Sequence, residues 1–320
     1  MEILDVIRNF LKQFDFEPNI VNYQEHKEYN KFLICGMGGS HLAGDFIKFI
    51  LPELDIVIHK DYGLPKLKDL NERLVITISY SGNTYETISS FEEAYYKNLN
   101  IIAISKNGKL LELAKEKNIP FIKLPEESLL PRFAIGYMLK SLFKILKYEY
   151  LNLNSEFLQK EINIKEIEKK AQNLVEEIGS KILLIYTTEE FYPLAYYWKI
   201  MINENAKTPA FINVIPELCH NEIEIFENEK FSKNFFVIFL NNPENISQHY
   251  KNTMDIIIEI LNNIKVKNEI INLTGKNRLL ISLKDIILAG FVSCYLAVAR
   301  GVDIEKNNLI ELIKERLKNN

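Results

Sequence analysis

Apolar residues in this chain alternate between two textures. Short unbroken runs, such as Phe32-Leu33-Ile34-Cys35, Ile56-Val57-Ile58, 74–80, Ile101-Ile102-Ala103-Ile104 and 120–124, read as strands buried on both faces. Between them, apolar positions recur every three or four residues, which predicts helices over 3–14, 45–51, 84–97, 109–117 and 131–148. The pattern pauses at 149–157, a polar, Asn-rich stretch, and then resumes. Strands are expected at 181–186, 235–240 and 268–273, with helices at 164–178, 193–203, 249–263, 283–299 and 309–317. The fold class is therefore α/β, with two domains over 1–152 and 153–320, each a mainly parallel sheet flanked by helices.

Composition sets bounds on this picture. With 47% hydrophobic and 26% charged residues in 320, the chain can bury two cores and is not disordered. A net charge of -4 gives no field favouring nucleic acid. The opening Met1-Glu2-Ile3-Leu4-Asp5 lacks the basic start and apolar run of a secretory leader, and no uninterrupted apolar stretch approaches bilayer length. Cys35, Cys219 and Cys294 are odd in number and widely spaced, which fits a reducing, cytoplasmic compartment better than a disulfide framework.

Two turns carry the chemistry. Ser79-Tyr80-Ser81-Gly82-Asn83-Thr84 lies where a strand gives way to a helix. Its hydroxyls and glycine crowd a helix N-terminus, where open N–H groups and the helix dipole favour an anion. This is a phosphate cradle made without lysine. Gly36-Met37-Gly38-Gly39-Ser40 also follows a strand and precedes a helix; the dinucleotide fingerprint fails there because His41 occupies the third glycine position. In a parallel sheet both turns lie at the carboxyl ends of strands, where ligands bind. Ser81 lacks the Gly-x-Ser-x-Gly elbow of a hydrolase nucleophile. Thr84 can cap its helix and still contact a phosphate.

Three further residues suit catalysis by type. Arg132, after Pro131 at a predicted helix start, opposes the helix dipole and fits an anionic ligand or a developing negative charge, or else an ordinary surface site. Glu204 and His220 supply a carboxylate and an imidazole suited to general acid–base work, though each has an ordinary alternative as a solvated helix residue or a loop cap. The histidines, His26, His41, His59, His220 and His249, form no His-x-x-x-His pair, and the cysteines form no Cys-x-x-Cys pair, so the expectation is no metal and no cofactor.

Taken in order, the two turns, Pro131-Arg132-Phe133-Ala134-Ile135-Gly136-Tyr137, the blocks 202–207 and 216–223, Arg300-Gly301-Val302-Asp303 and the closing Lys314-Glu315-Arg316-Leu317 resemble the bifunctional phosphoglucose/phosphomannose isomerase family. That family belongs to the phosphoglucose isomerase superfamily and carries two sugar isomerase (SIS) domains. The resemblance implies interconversion of glucose 6-phosphate, and often mannose 6-phosphate, with fructose 6-phosphate through a cis-enediol. By position, Gly39, Ser40, Ser79, Ser81 and Thr84 would hold the substrate phosphate. Glu204 would be the base, Arg132 would stabilise the enediolate, His220 would assist ring opening and Lys314 would be its acid partner. The Lys-Glu-Arg-Leu ending favours Lys314 over Lys318. The resemblance also implies a homodimer with a shared active site, the histidine coming from the neighbouring chain.

Two features depart from the family pattern. Cys219 stands where Asn often precedes the histidine, and 303–308 lacks the prolines and small Thr of a region that helps set selectivity at sugar C2. Two alternatives remain open at this stage. One is a non-catalytic SIS sensor of sugar phosphates, which needs no Glu204, His220 and Lys314 together. The other is an SIS isomerase for another phosphosugar.

Overall fold

A computed structural model of the chain describes residues 3–22, 28–148 and 153–318, so His26 and part of the expected 149–157 divider lie outside the described residues. The chain divides into two compact units, Arg8–Ile162 and Asn163–Asn320, the second joined by Met1–Ile7. Helix α1 (Ile3–Arg8) thus begins in the second unit, where Ile7 packs beside Gly290.

The first unit is an α/β layer structure. Its elements are β1 (Ile20–Val21), β2 (Lys31–Gly36), α2 (Gly39–Ile50), β3 (Asp55–His59), β4 (Leu74–Ser79), α3 (Tyr85–Tyr96), β5 (Ile101–Ser105), α4 (Gly108–Glu116), β6 (Phe121–Lys123), α5 (Ile135–Ile145) and α6 (Ser155–Glu161). The sheet runs β1-β6-β5-β4-β2-β3 and is parallel except for β1 against β6. Strands β2, β4 and β5 are buried almost throughout, which is why their sequences are unbroken apolar runs and not alternating ones.

The strand order has a direct consequence for function. From β2 the chain moves to β3 on one side, then crosses back to place β4 on the other. Strands β2 and β4 pair directly, Gly36 opposite Ile78. The two turns singled out in the sequence are therefore neighbours at the switch point of the sheet, the place where open α/β sheets form a ligand crevice.

Helix α2 begins at Gly39, well before the predicted start at 45. Gly39 and Gly44 argue locally against a helix, but packing reverses this at Gly44. A Cβ there would come within 2.9 Å of the Ile58 side chain, so glycine lets the helix lie close on the sheet. The predicted helix over 131–148 is instead a 3-10 turn, Pro131–Phe133, followed by α5.

The second unit repeats the plan with α7 (Ile164–Ile178), β7 (Ile182–Thr188), α8 (Tyr192–Asn205), β8 (Ala210–Ile215), α9 (Glu229–Ser232), β9 (Phe235–Asn241), α10 (Gln248–Asn263), β10 (Lys267–Asn272), α11 (Arg278–Ala299) and α12 (Asn308–Lys318). Its sheet, β10-β9-β7-β8, is wholly parallel. Helix α11 is long and apolar enough by length and composition to cross a membrane, although Lys284 and Asp285 interrupt its apolar run. Here it is a core helix, buried against α7 and α8, with Trp198 Nε1 donating to its buried Asp285 at 2.8 Å.

Candidate active site

At the switch point of the first unit the two turns are stitched together. Ser40 is buried on the first turn of α2, and its Oγ accepts from the Tyr80 backbone N–H at 3.0 Å. Ser79 ends β4, fully buried; its Oγ accepts from Gly82 N at 3.0 Å and lies 2.9 Å from Thr84 Oγ1. Ser81 is exposed at the tip, where its Oγ accepts from Asn83 N at 3.3 Å. Gly82 needs its positive φ of 71°, and a Cβ there would collide with the Asn107 carbonyl.

Thr84 takes the N-cap position of α3, yet its side chain makes no capping bond and turns to Ser79 instead. Helix α2 also lacks a side-chain cap, starting from Gly38. Helices α7, α10 and α11, by contrast, are capped by Asn163, Ser247 and Asn277. Helices α4, α5 and α8 also lack a side-chain cap, so α2 and α3 are set apart by their place: their N-termini open on the crevice, where N–H groups without a side-chain cap can meet a ligand or water.

Arg132 enters this cradle through its backbone. A Cβ on Gly39 would stand 2.8 Å from Arg132 N and 2.8 Å from the Pro131 carbonyl carbon. The small size of Gly39 also lets the Pro131–Phe133 turn close against the glycine turn. The Arg132 side chain is buried, its guanidinium 5.5 Å from the Phe133 ring centroid. A buried guanidinium is suited to stabilising negative charge that is excluded from water. Gly39, Ser40, Ser79, Ser81 and Thr84 thus come together around one crevice of the first unit, with the Arg132 backbone packed against it.

Beneath the glycine turn lies a group that the sequence reading mentioned only as a fingerprint failure. His41, on α2, donates from Nδ1 to the Gly38 carbonyl at 2.5 Å, and its Nε2 faces Asp45 Oδ2 at 3.3 Å. Asp45 in turn faces Lys60 at 3.4 Å. Burial and the nearby Lys60 charge hold His41 down at about 4, while burial pushes Asp45 up. The signal available in the sequence was the i, i+4 spacing of His41 and Asp45 on one helix face.

The other three candidates stand on separate elements of the second unit. Glu204 is half-buried near the C-terminal end of α8, its carbonyl accepting from Lys207 Nζ. His220 is exposed on a 3-10 turn, Glu217–His220, that follows β8. Lys314 is exposed on α12. Burial pushes the Cys219 thiol up, which lowers its thiolate fraction and its reactivity at neutral pH.

Comparison with known proteins accords with the tandem architecture. Residues 167–317 match the bacterial phospho-glucose isomerase C-terminal SIS domain family. The fold resembles the C-terminal domain of glucosamine-fructose-6-phosphate aminotransferase from Francisella tularensis, with a TM-score of 0.67 at 12% identity, covering 95% of this chain and 96% of that one. The class defined by fold and site is a two-domain SIS protein of the phosphosugar-isomerase type.

The bifunctional phosphoglucose/phosphomannose isomerase of Aquifex aeolicus is 33% identical over 99% of this chain and 98% of its own length. The chain belongs to the bifunctional phosphoglucose/phosphomannose isomerase family. A D-glucosamine-6-phosphate 4-epimerase of Sulfolobus acidocaldarius is also similar, 27% identical over 92% of this chain and 91% of its own.

Proposed function

We propose that the protein interconverts glucose 6-phosphate and mannose 6-phosphate with fructose 6-phosphate. The observation that carries this reading is the joined cradle: two hydroxyl-lined turns at uncapped helix N-termini, with the buried Arg132 backbone packed on Gly39. Such a cradle suits a phosphate dianion at one end of a substrate and developing charge elsewhere on it.

In this reading Glu204 removes the proton from C2 of the open-chain aldose, leaving a cis-enediolate with its charge on O1. Arg132 stabilises that charge. The base returns the proton to C1 while the O2 proton passes to O1, giving the ketose with no net redox change. Glucose and mannose 6-phosphates differ only at C2 and share this intermediate, so one base can serve both. His220 and Lys314 assist opening of the ring. The working form is a cytoplasmic homodimer with His220 contributed across the interface.

The test supplies fructose 6-phosphate to the intact chain in D2O and follows both aldoses by proton NMR. Expected are both products, deuterium at the exchanging carbon, and a loss of turnover of at least about a thousandfold in Glu204→Gln, the scale on which removing a catalytic base acts. Substantial turnover in that variant removes the base assignment. No aldose from fructose 6-phosphate, with epimerisation of glucosamine 6-phosphate at C4 instead, would place this chain's chemistry with the Sulfolobus relative's name.

A further inference from the structure

The second unit contains the same crevice with opposite chemistry. Its strand order places β8 and β9 on either side of β7, as β3 and β4 flank β2, so the loops after β7 and β9 meet at a second switch point. A cavity of about 380 Å³ lies there, within the usual range of small-molecule pockets. Where the first unit has the glycine turn, the end of β7 and the 3-10 turn after it read Thr187-Thr188-Glu189-Glu190. Where the first unit has Ser79–Thr84 leading into an uncapped helix, β9 ends at Asn241 and the loop after it runs to Ser247, which accepts from Tyr250 N and caps α10.

Each difference acts against an anion. The glycines that let backbone approach a phosphate are replaced by carboxylates at the mouth. The helix N-terminus already has its own side-chain acceptor. Among the described residues lining the cavity there is no Lys, Arg or His. Arg278 pairs with Glu190 from outside the lining, which leaves Glu189 as the exposed charge at the entrance.

The interior supplies the complement. Asn241 is 8% exposed; its Nδ2 donates to Asn272 Oδ1 at 3.3 Å, but its Oδ1 has no hydrogen-bond partner. A buried acceptor left open is unfavourable, and any N–H or O–H that reaches it once the amide adjusts offsets that cost. Phe191, Phe239 and Tyr250 add aromatic surface to the lining, which attracts a cation and accommodates an apolar body.

We propose that this crevice is a second ligand site and that it takes a small organic ammonium ion carried on an apolar or aromatic body. Its lining includes none of the residues assigned to the phosphosugar chemistry.

The experiment titrates the intact chain with three isosteric probes at neutral pH: phenethylammonium, 2-phenylethanol and phenylacetate. Binding is read by calorimetry and by chemical-shift changes, with inorganic phosphate titrated in parallel as a control for the first crevice. Phenethylammonium is expected to bind at least about tenfold more tightly than the alcohol, with phenylacetate weakest. Glu189→Lys, an exposed position, is expected to weaken the ammonium at least about tenfold and to leave phosphate binding unchanged. Asn241→Asp, which places a second carboxylate at the open acceptor, is expected to tighten it. Phenylacetate or the alcohol binding as well as the ammonium, no binding by any probe, or an ammonium affinity indifferent to Glu189→Lys would each overturn the proposal.

Discussion

The hydroxyl of Ser40 accepts the backbone N–H of Tyr80, 40 residues away in the chain, at 3.0 Å. One side chain thereby fixes the spacing between the two turns of the cradle. Ser40→Ala leaves that buried N–H without its acceptor, a cost of about 1–3 kcal/mol. The expected result is inorganic phosphate binding weakened by about tenfold or more, measured by calorimetry. The comparable loss from Ser81→Ala is smaller, because Ser81 is exposed and bonds only within its own turn.

Gly39→Ala makes a sharper prediction. The added Cβ meets backbone atoms of Pro131 and Arg132 at 2.8 Å, and backbone cannot swing aside as a flexible side chain can. The turn bearing Arg132 must shift. A displacement of this scale is expected to lower kcat by about a hundredfold, while circular dichroism shows the sheet and helices intact.

His41 introduces an acid-sensitive term. Its pKa falls from 6.5 in the unfolded chain to about 4 in the fold. Between those values the unfolded state binds a proton that the folded state refuses, so stability rises with pH across the window and is lost as pH falls from about 6.5 to 4. The span is worth about 3 kcal/mol at 1.36 kcal/mol per pKa unit. The groups facing it, Asp45 and Lys60, and Lys48 beside Asp45, remain in the comparison. His41→Gln, which keeps a donor for the Gly38 carbonyl, is expected to flatten this limb of the denaturation free energy of the first unit.

Asp285 has the opposite slope. Burial pushes its carboxyl from 3.8 up to about 7, against the favourable hydrogen bond from Trp198. The folded state keeps a proton that the unfolded chain has released, so stability falls as pH rises from about 4 to 7. Asp285→Asn is expected to abolish that fall and to stabilise the second unit above pH 7, by as much as about 4 kcal/mol. Trp198 is the chain's single tryptophan and contacts the group directly, so its fluorescence in urea titrations at several pH values reads the effect.

Much of the fold was legible because strands buried on both faces must be continuously apolar, and β2, β4 and β5 are. Strand β8 escaped notice because it lies at the sheet edge: Phe211 is exposed, Ile212 and Asn213 are half-buried, and the pattern is mixed. The true start of α2 was hidden by glycines whose purpose is close packing, a tertiary matter that local propensity opposes. Both turns of the cradle were readable as turns. That they are neighbours was not, because the pairing of β2 with β4 is set by chain crossing and leaves no local trace. Glu204 and His220 suit acid–base work by residue type, but the particular roles expected of them, and the choice of Lys314, came from family resemblance, since each is otherwise an ordinary helix, loop or surface residue.

In the proposed mechanism, the contact between Gly39 and the Arg132 backbone would join recognition of the substrate's tail to the handling of its reactive end. An oxyanion seated at the start of α2 bears on the same backbone that carries the guanidinium. Remote binding energy then pays for alignment at the centre of reaction. A free hexose at saturating concentration would therefore turn over slowly, and adding inorganic phosphate as a separate piece would restore part of the rate.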